Sequence, residues 1–358
     1  MATIGQINPS PNIGIAFKTL ARTAIQRSEK GIVCLILRDT KASQKWYTFK
    51  AISDVETSKW DEHSVKYINL AMHYGAFKVL VRVVQSDEDT NKVLKDLEMR
   101  KFNWLVYPQA LEAEDQTVVN WVKQQFGNTG AIGKTVKYVS SFANNTDHVA
   151  IVELANGGTY KSIYGDFTAQ EYTAAIAGLI AGMPLNRSAD NHIMNDLKEV
   201  EDYEPKIGKF SLYNDEEVVK VNYGVNSKTT FDSTWKKDTR KIKVVEGMCF
   251  IADDIRDTFK NYWLGNYIND YDNKMNFCSN ITKVYFKEMS PNVLNGDYDN
   301  KVEIDIEAQK KVIITDGLEV NSMTDLEILQ YPTGDDVYLT GDVRFVDTMA
   351  SLSLTMTM

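Results

Sequence analysis

Apolar residues recur along this chain with two periods. A short run, Ile32 to Leu37, is apolar at every position and bounded by Gly31 and Arg38. Such a run predicts a central strand buried on both faces. From there strand-like and helix-like patterns alternate. Strands are predicted over 46–52, 78–84, 103–108, 134–142 and 148–154. Helices are predicted over 58–75, 89–101, 113–127 and 168–183. The first of these helices opens at Ser58, carries Glu62 near its first turn and stops at Gly75; the second places Val93, Leu94 and Leu97 on one face. The last becomes almost wholly small and apolar, which predicts deep burial. A repeated strand-helix-strand order implies an α/β fold with a mainly parallel sheet.

The texture changes near residue 185. A polar, irregular stretch leads to a hairpin pattern over 209–227, turning at Asn214-Asp215-Glu216. A boundary is expected near 227–240, so that 31–235 forms the α/β core domain. A smaller α+β domain, 236–346, follows. It opens with a short strand at "KIKVV" and a long helix carrying Ile251, Ile255, Phe259, Tyr262 and Trp263. Another helix is predicted over 273–289, ending before Pro291. Residues 302–317 fit strand and helix equally well. Residues 336–346 read as a strand or hairpin arm.

Both ends of the chain carry strand patterns outside these domains. Ile13, Ile15 and Phe17 alternate with Gly14, Ala16 and Lys18. From Ser351 to Met358, Leu352, Leu354, Met356 and Met358 alternate with Ser351, Ser353, Thr355 and Thr357. That is the period of a half-buried strand, at a place where chains are normally polar and frayed. Either the strand closes a sheet in its own domain or it closes one in another subunit. Residues 1–30 are therefore read as an N-terminal arm with its linker, and 347–358 as a C-terminal β-arm.

Composition narrows the function. With 358 residues, 43% of them hydrophobic, the chain is long enough for about two domains with real cores. A net charge of -9 argues against binding nucleic acid, which needs clustered Lys and Arg. Cys34, Cys249 and Cys278 are odd in number and widely spaced, so they make no disulfide framework and fit a reducing cytoplasm. No apolar stretch reaches the roughly 20 residues that span a bilayer, and the first residues lack the pattern of a signal peptide.

Motifs for chemistry fail on spacing. "GNTGAIGKT" (127–135) resembles a phosphate-binding loop, but Gly127 stands one position too far from Gly133, and the segment follows a helix and opens a strand. The phosphate loop needs the reverse context. His63, His73, His148 and His192 include no pair at metal-ligand spacing. The acidic stretches 269–273 and 295–301 suggest calcium, but the second, which begins D-x-D, lacks the loop glycine and has Ala308 where the closing glutamate should sit, and both read as solvated turns. No metal and no cofactor is expected. A rival reading remains a cytosolic α/β enzyme, which predicts a polar cluster such as Asp87, Glu88 and Asp89 at the sheet's C-terminal edge.

Taken together, three stretches resemble the contractile tail sheath proteins of phages and diffocin-type bacteriocins. They are "IAGLIAGMPLNRSAD" (176–190), "DDIRDTFKNYWLGNYINDYDNK" (253–274) and "VRFVDTMASLSLTMTM" (343–358). The stretch 10–37 looks like the family's arm and first core strand. The resemblance implies a structural subunit, not an enzyme. It implies hexameric rings, stacked helically around an inner tail tube and joined to a baseplate and a tail terminator. It also implies one-shot contraction from a metastable state, driving the tube through a target envelope. The particle would be assembled in the bacterial host cytoplasm and released as a virion tail or bacteriocin, with no nucleic acid bound and no direct membrane insertion. It further implies that the arm strands, Ile13-Gly14-Ile15-Ala16-Phe17 and Leu352-Ser353-Leu354-Thr355-Met356, add to sheets of neighbouring subunits. The receiving sheet would hold Val337, Leu339, Val343 and Phe345. Residues 19–30 and 347–351 would act as hinges. The C-terminal domain would face the tube, with Arg256, Lys260, Lys310 and Lys311 as contacts, and the α/β domain would lie outside. A tube subunit is a weaker alternative, since tube proteins are much shorter.

Overall fold

A computed structural model describes residues 31–85, 88–127, 135–233, 235–350 and Leu354. The predicted N-terminal strand, the hinge 19–30, Asp87, most of the 127–135 segment and the C-terminal strand apart from Leu354 lie outside these residues. The described chain parts into two compact units. One holds the residues up to Glu246 together with 347–350 and Leu354; the other is Gly247–Val346.

The first unit is built on a six-stranded sheet. In spatial order it runs β2 (Trp46–Phe49), β3 (Lys78–Val84), β1 (Ile32–Arg38), β4 (Trp104–Val106), β5 (Lys137–Ser140) and β6 (Ile151–Glu153). Every neighbouring pair is parallel except β2 with β3. The central strand explains the all-apolar run: Val33, Leu35 and Leu37 enter one core, and Ile32, Cys34 and Ile36 the other. Helices Glu62–His73 and Ala169–Gly182 cover the first face, and Thr90–Leu97 and Glu112–Gly127 the second. Small residues in the most apolar helix serve a close approach. A Cβ at Gly178 would stand 2.3 Å from the Ala71 carbonyl oxygen on the neighbouring helix.

Two small antiparallel sheets complete this unit. The order β8 (Gly165–Thr168), β7 (Thr159–Ser162), β9 (Leu197–Glu199) forms one, and the hairpin β10 (Leu212–Asp215) with β11 (Val218–Val221) the other. Their apolar sides, including Tyr160, Phe167 and Leu212, join the first core.

Several local expectations need correction. The helix predicted from Ser58 begins at Glu62, because Thr57–Lys59 closes a separate 3₁₀ turn; Asp61 takes the N-cap position. The hairpin turns at Glu216-Glu217, with Glu216 at φ 56°, one position later than expected. The strand beginning at Trp46 ends at Phe49, since Ile52–Asp54 is a 3₁₀ turn. "KIKVV" is no strand: its β-branched run is the first turn of helix Ile242–Thr258.

In the second unit the long helix runs on through Phe259–Trp263 as a wider π turn. Helix Tyr271–Asn280 continues through another π turn, Ile281–Tyr285, into Phe286–Met289. The ambiguous 302–317 segment is both things in succession. Strand β12 (Lys301–Ile304) ends where Asp305 caps helix Ile306–Thr315, its carboxylate accepting from the Ala308 amide. A short helix, Asp325–Gln330, precedes β13 (Leu339–Asp342), which pairs antiparallel with β12.

Candidate assembly interface

Among the described residues, the sheet of the second unit has an open side. In an antiparallel pair, residues alternate between pointing their backbone groups at the partner and away from it. The Asp305 amide donates to the Tyr338 carbonyl at 3.0 Å, which sets the phase. By the register, Thr340 and Asp342 then face Glu303 and Lys301. The same side continues past the strand: the Asn295 amide donates to the Arg344 carbonyl at 2.7 Å, and the Val346 amide to the Val293 carbonyl at 3.0 Å. The backbone groups of Leu339, Gly341, Val343 and Phe345 therefore point to the far side. Among the described residues they have no hydrogen-bond partner. On the β12 side the comparable position is closed, since the Val302 amide donates to the Thr282 hydroxyl at 3.0 Å.

Side chains along this edge follow the same alternation. Leu339, Val343 and Phe345 are half-buried, and Thr340, Asp342 and Arg344 are exposed. The Phe345 ring lies over Gly247, where a Cβ would approach it to 2.9 Å. Of the four residues expected in a receiving sheet, Leu339 lies in β13; Phe345 forms an isolated bridge to Leu294. Val337 and Val343 flank the strand on the same strip.

Behind the edge sits a buried polar group that sequence reading missed. The Lys274 amine donates to Gln309 Oε1 and to Thr333 Oγ1, each at 3.0 Å. Asn269 Nδ2 reaches Thr333 Oγ1 at 3.0 Å, the Gly334 carbonyl at 2.9 Å and the Asp336 carbonyl at 2.8 Å. Burial holds the Lys274 amine below the usual lysine value, with Asp270 acting in the opposite direction. Nothing in the sequence distinguished this lysine from the solvated ones nearby; only its place on the inward face of its helix would have marked it.

The expected basic contacts divide into two pairs. Arg256 is held by Asp253 at 3.0 Å and Lys310 by Glu307 at 2.7 Å, each within its own helix. Lys260 and Lys311 are exposed and have no ion-pair partner among the described residues. Of the C-terminal arm strand only Leu354 is described; it is 70% exposed and lies in no strand.

The features that suggested chemistry are structural. The sheet order makes the crevice between the C-terminal ends of β1 and β4 the place where a doubly wound sheet binds ligands. Here the chain fills it. Arg38 pairs with Glu114 there, its amide donates to Gln109 Oε1 at 2.7 Å, and its guanidinium lies 5.1 Å from the Tyr107 ring centre. Glu88 is bound to the fully buried Arg82, which also donates to Asp96 at 2.7 Å. Asp89 caps helix Thr90–Leu97 by accepting from the Asn91 amide. The acidic stretch 269–273 supplies Asp270 as the cap of the next helix. Among the described residues no group of His, Cys, Asp and Glu is arranged to hold a metal ion. All three cysteines are buried; burial raises the Cys34 thiol and pushes Cys278 up to about 12, as inert packing requires.

No protein-family model matches the chain. It is 28% identical over 356 residues to the tail sheath protein of Clostridium phage phiCD119, covering 96% of this chain and 98% of that one. Among solved structures it is similar to the sheath tail protein of Listeria innocua, with TM-score 0.69 and 15% identity over 93% of this chain and 99% of the other. It is also similar to the contracted helical sheath of the anti-feeding prophage, with TM-score 0.66 and 12% identity over 100% and 95% of the two chains. These likenesses run nearly end to end, through both compact units, and each of these relatives is described as a sheath protein. The chain is thus similar, in sequence and in fold, to the contractile tail sheath proteins of phages and phage-tail-like particles.

Proposed function

We propose that the strip Leu339–Phe345 accepts a terminal strand from a neighbouring subunit, and that this exchange links subunits into hexameric rings stacked around an inner tail tube. The observation that carries the reading is the row of outward backbone groups at Leu339, Gly341, Val343 and Phe345. An open sheet edge invites another strand, whose main chain supplies hydrogen bonds while alternate side chains find pockets. The alternating termini, 13–17 and 352–356, have the pattern of such strands. Burying the apolar face of one arm contributes several kcal/mol gross, at about 25 cal/mol per Å², and ordering the arm offsets part of it.

In this reading the assembled sleeve is metastable, and contraction moves subunits as near-rigid bodies while exchanged strands keep the network joined. Residues 19–30 and 347–351 are the hinges. The unit containing β12 and β13 faces the tube, and the α/β unit lies outside. The baseplate and tail terminator bound the sleeve, and assembly takes place in the host cytoplasm.

Deletion of residues 352–358 tests the exchange. The truncated chain is expected to stay folded, with an unchanged circular dichroism spectrum, and to give no sleeves by negative-stain electron microscopy. Sleeves from the truncated chain, alone or co-expressed with the tube protein, would overturn the role of the C-terminal arm.

A further inference from the structure

The edge strand is delivered by a loop that is tied down from inside the unit. Thr333 Oγ1 accepts from Lys274 and from Asn269 and donates to the Asp336 carbonyl. The Asp336 amide returns a bond to the Thr333 carbonyl at 3.1 Å. Two residues later the Tyr338 carbonyl takes the Asp305 amide, the contact that sets the phase of β13. Lys274 is also tied to Gln309, whose Nε2 donates to the Ile328 carbonyl. Helices Tyr271–Asn280, Ile306–Thr315 and Asp325–Gln330 are thus joined to the loop through one amine that is 1% exposed.

We infer that Asn269, Lys274 and Thr333 form a clamp that fixes the register of β13, making Lys274 a positioning residue for strand acceptance. The inference rests on the strand-acceptance reading above. A buried ammonium without a carboxylate is costly, and Lys274 has no ion-pair partner among the described residues. An apolar side chain would fill the space at less cost. Buried polar networks are kept where they select one geometry. The geometry at stake is definite. A slip of one residue in β13 would turn Thr340, Asp342 and Arg344 outward and rotate every side chain to the opposite face. The half-buried row of Leu339, Val343 and Phe345 would be lost, and an incoming strand would meet a different edge.

The test uses the full-length chain and four substitutions. Thr333→Val keeps the shape and removes the hydroxyl, and Thr333→Ser restores it. Asn269→Asp removes the amide donors at a partly exposed position, and serves where Thr333→Val does not fold. Gly341→Pro removes one outward N–H and leaves the clamp alone. Hydrogen exchange is read in the unassembled subunit and sleeve yield by electron microscopy, with wild-type sleeves, co-expressed with the tube protein if needed, as reference. The expected result for Thr333→Val and Asn269→Asp is a cooperative melt, at least tenfold faster exchange at the Thr340 and Asp342 amides, and at least tenfold fewer sleeves. Thr333→Ser is expected to match the wild type in all three. Unchanged exchange at Thr340 and Asp342, or normal sleeves from both clamp variants while Gly341→Pro gives none, would overturn the clamp and leave strand acceptance standing. Normal sleeves from Gly341→Pro would overturn strand acceptance itself.

Discussion

The Lys137 ammonium lies 2.9 Å from the Glu246 carboxylate, and both side chains are sealed from solvent. Lys137 opens strand β5, and Glu246 lies in the opening turns of helix Ile242–Thr258. The next residue, Gly247, belongs to the second compact unit. The Trp104 ring, 5.4 Å from the amine, shields the pair on one side. This ion pair therefore fastens the start of the helix to the sheet, at the point where the chain leaves the α/β unit. Removing one partner of a buried pair strands the other charge, at a cost of about 3–5 kcal/mol. Lys137→Met is expected to lower stability by that amount in urea unfolding. The double variant Lys137→Met with Glu246→Met is expected to recover most of the loss, because no unpaired charge remains.

Helix-helix contact at Gly178 gives a second prediction. Gly178→Ala gains about 1 kcal/mol of helix propensity. It also drives a methyl group into the Ala71 carbonyl, which stands 2.3 Å from the Cβ position. Both partners are backbone, so neither side chain can rotate away. Overpacking of this kind costs about 1–3 kcal/mol or more. A net destabilisation is expected, read as a lower midpoint of thermal unfolding.

A pH dependence follows from His148. Burial lowers this imidazole to about 4, helped by the charges of Lys123 and Lys228. Its Nδ1 accepts the Ala150 amide at 3.2 Å, which holds the ring neutral. The unfolded chain binds the proton more readily, so the contribution to stability is complete above about pH 6.5 and is lost as pH falls through about 4. The full-length chain is expected to melt progressively lower over that window. His148→Asn, which keeps an acceptor but does not titrate there, is expected to flatten the dependence.

Charge reversal separates the four basic residues proposed to meet the tube. Lys260 and Lys311 lack ion-pair partners among the described residues, while Arg256 and Lys310 are engaged by Asp253 and Glu307. Lys260→Glu with Lys311→Glu is expected to reduce recovery of tube with sheath in low-salt pull-downs. The same change at Arg256 and Lys310 is expected to have the smaller effect. Equal loss from both pairs would remove the distinction.

The α/β unit was legible where periodicity reported burial. Ile32–Leu37 reads as a doubly buried strand because both its faces meet apolar helices. Ala169–Gly182 reads as a deep helix, and its Thr168 and Glu171 close a capping box. Local pattern failed where two structures share one composition. The run Ile242–Val245 has strand-forming residues, yet it opens a helix, while Lys241 before it bridges to Val225. The small sheet of β7, β8 and β9 escaped notice because its strands are three or four residues long and partly polar. A strand was expected within 336–346, and β13 lies there. Its directionality was not legible, since the phase of a strand is set by a partner, here Asp305, more than thirty positions away. Lys274 was illegible for a related reason: its neighbours come from residues 309 and 333.

The outward row at Leu339, Gly341, Val343 and Phe345 consists of main-chain amides and carbonyls. Every residue type except proline presents the same groups. A joint made this way is indifferent to the identity of the exposed side chains at Thr340, Asp342 and Arg344. If the proposed exchange holds, those positions are free to drift in sequence while the connection between subunits keeps its geometry. Discrimination between self and a foreign sheath must then reside elsewhere, in the pockets that the half-buried side chains shape. In the proposed exchange, the coupling between subunits is heritable as a backbone path rather than as a motif.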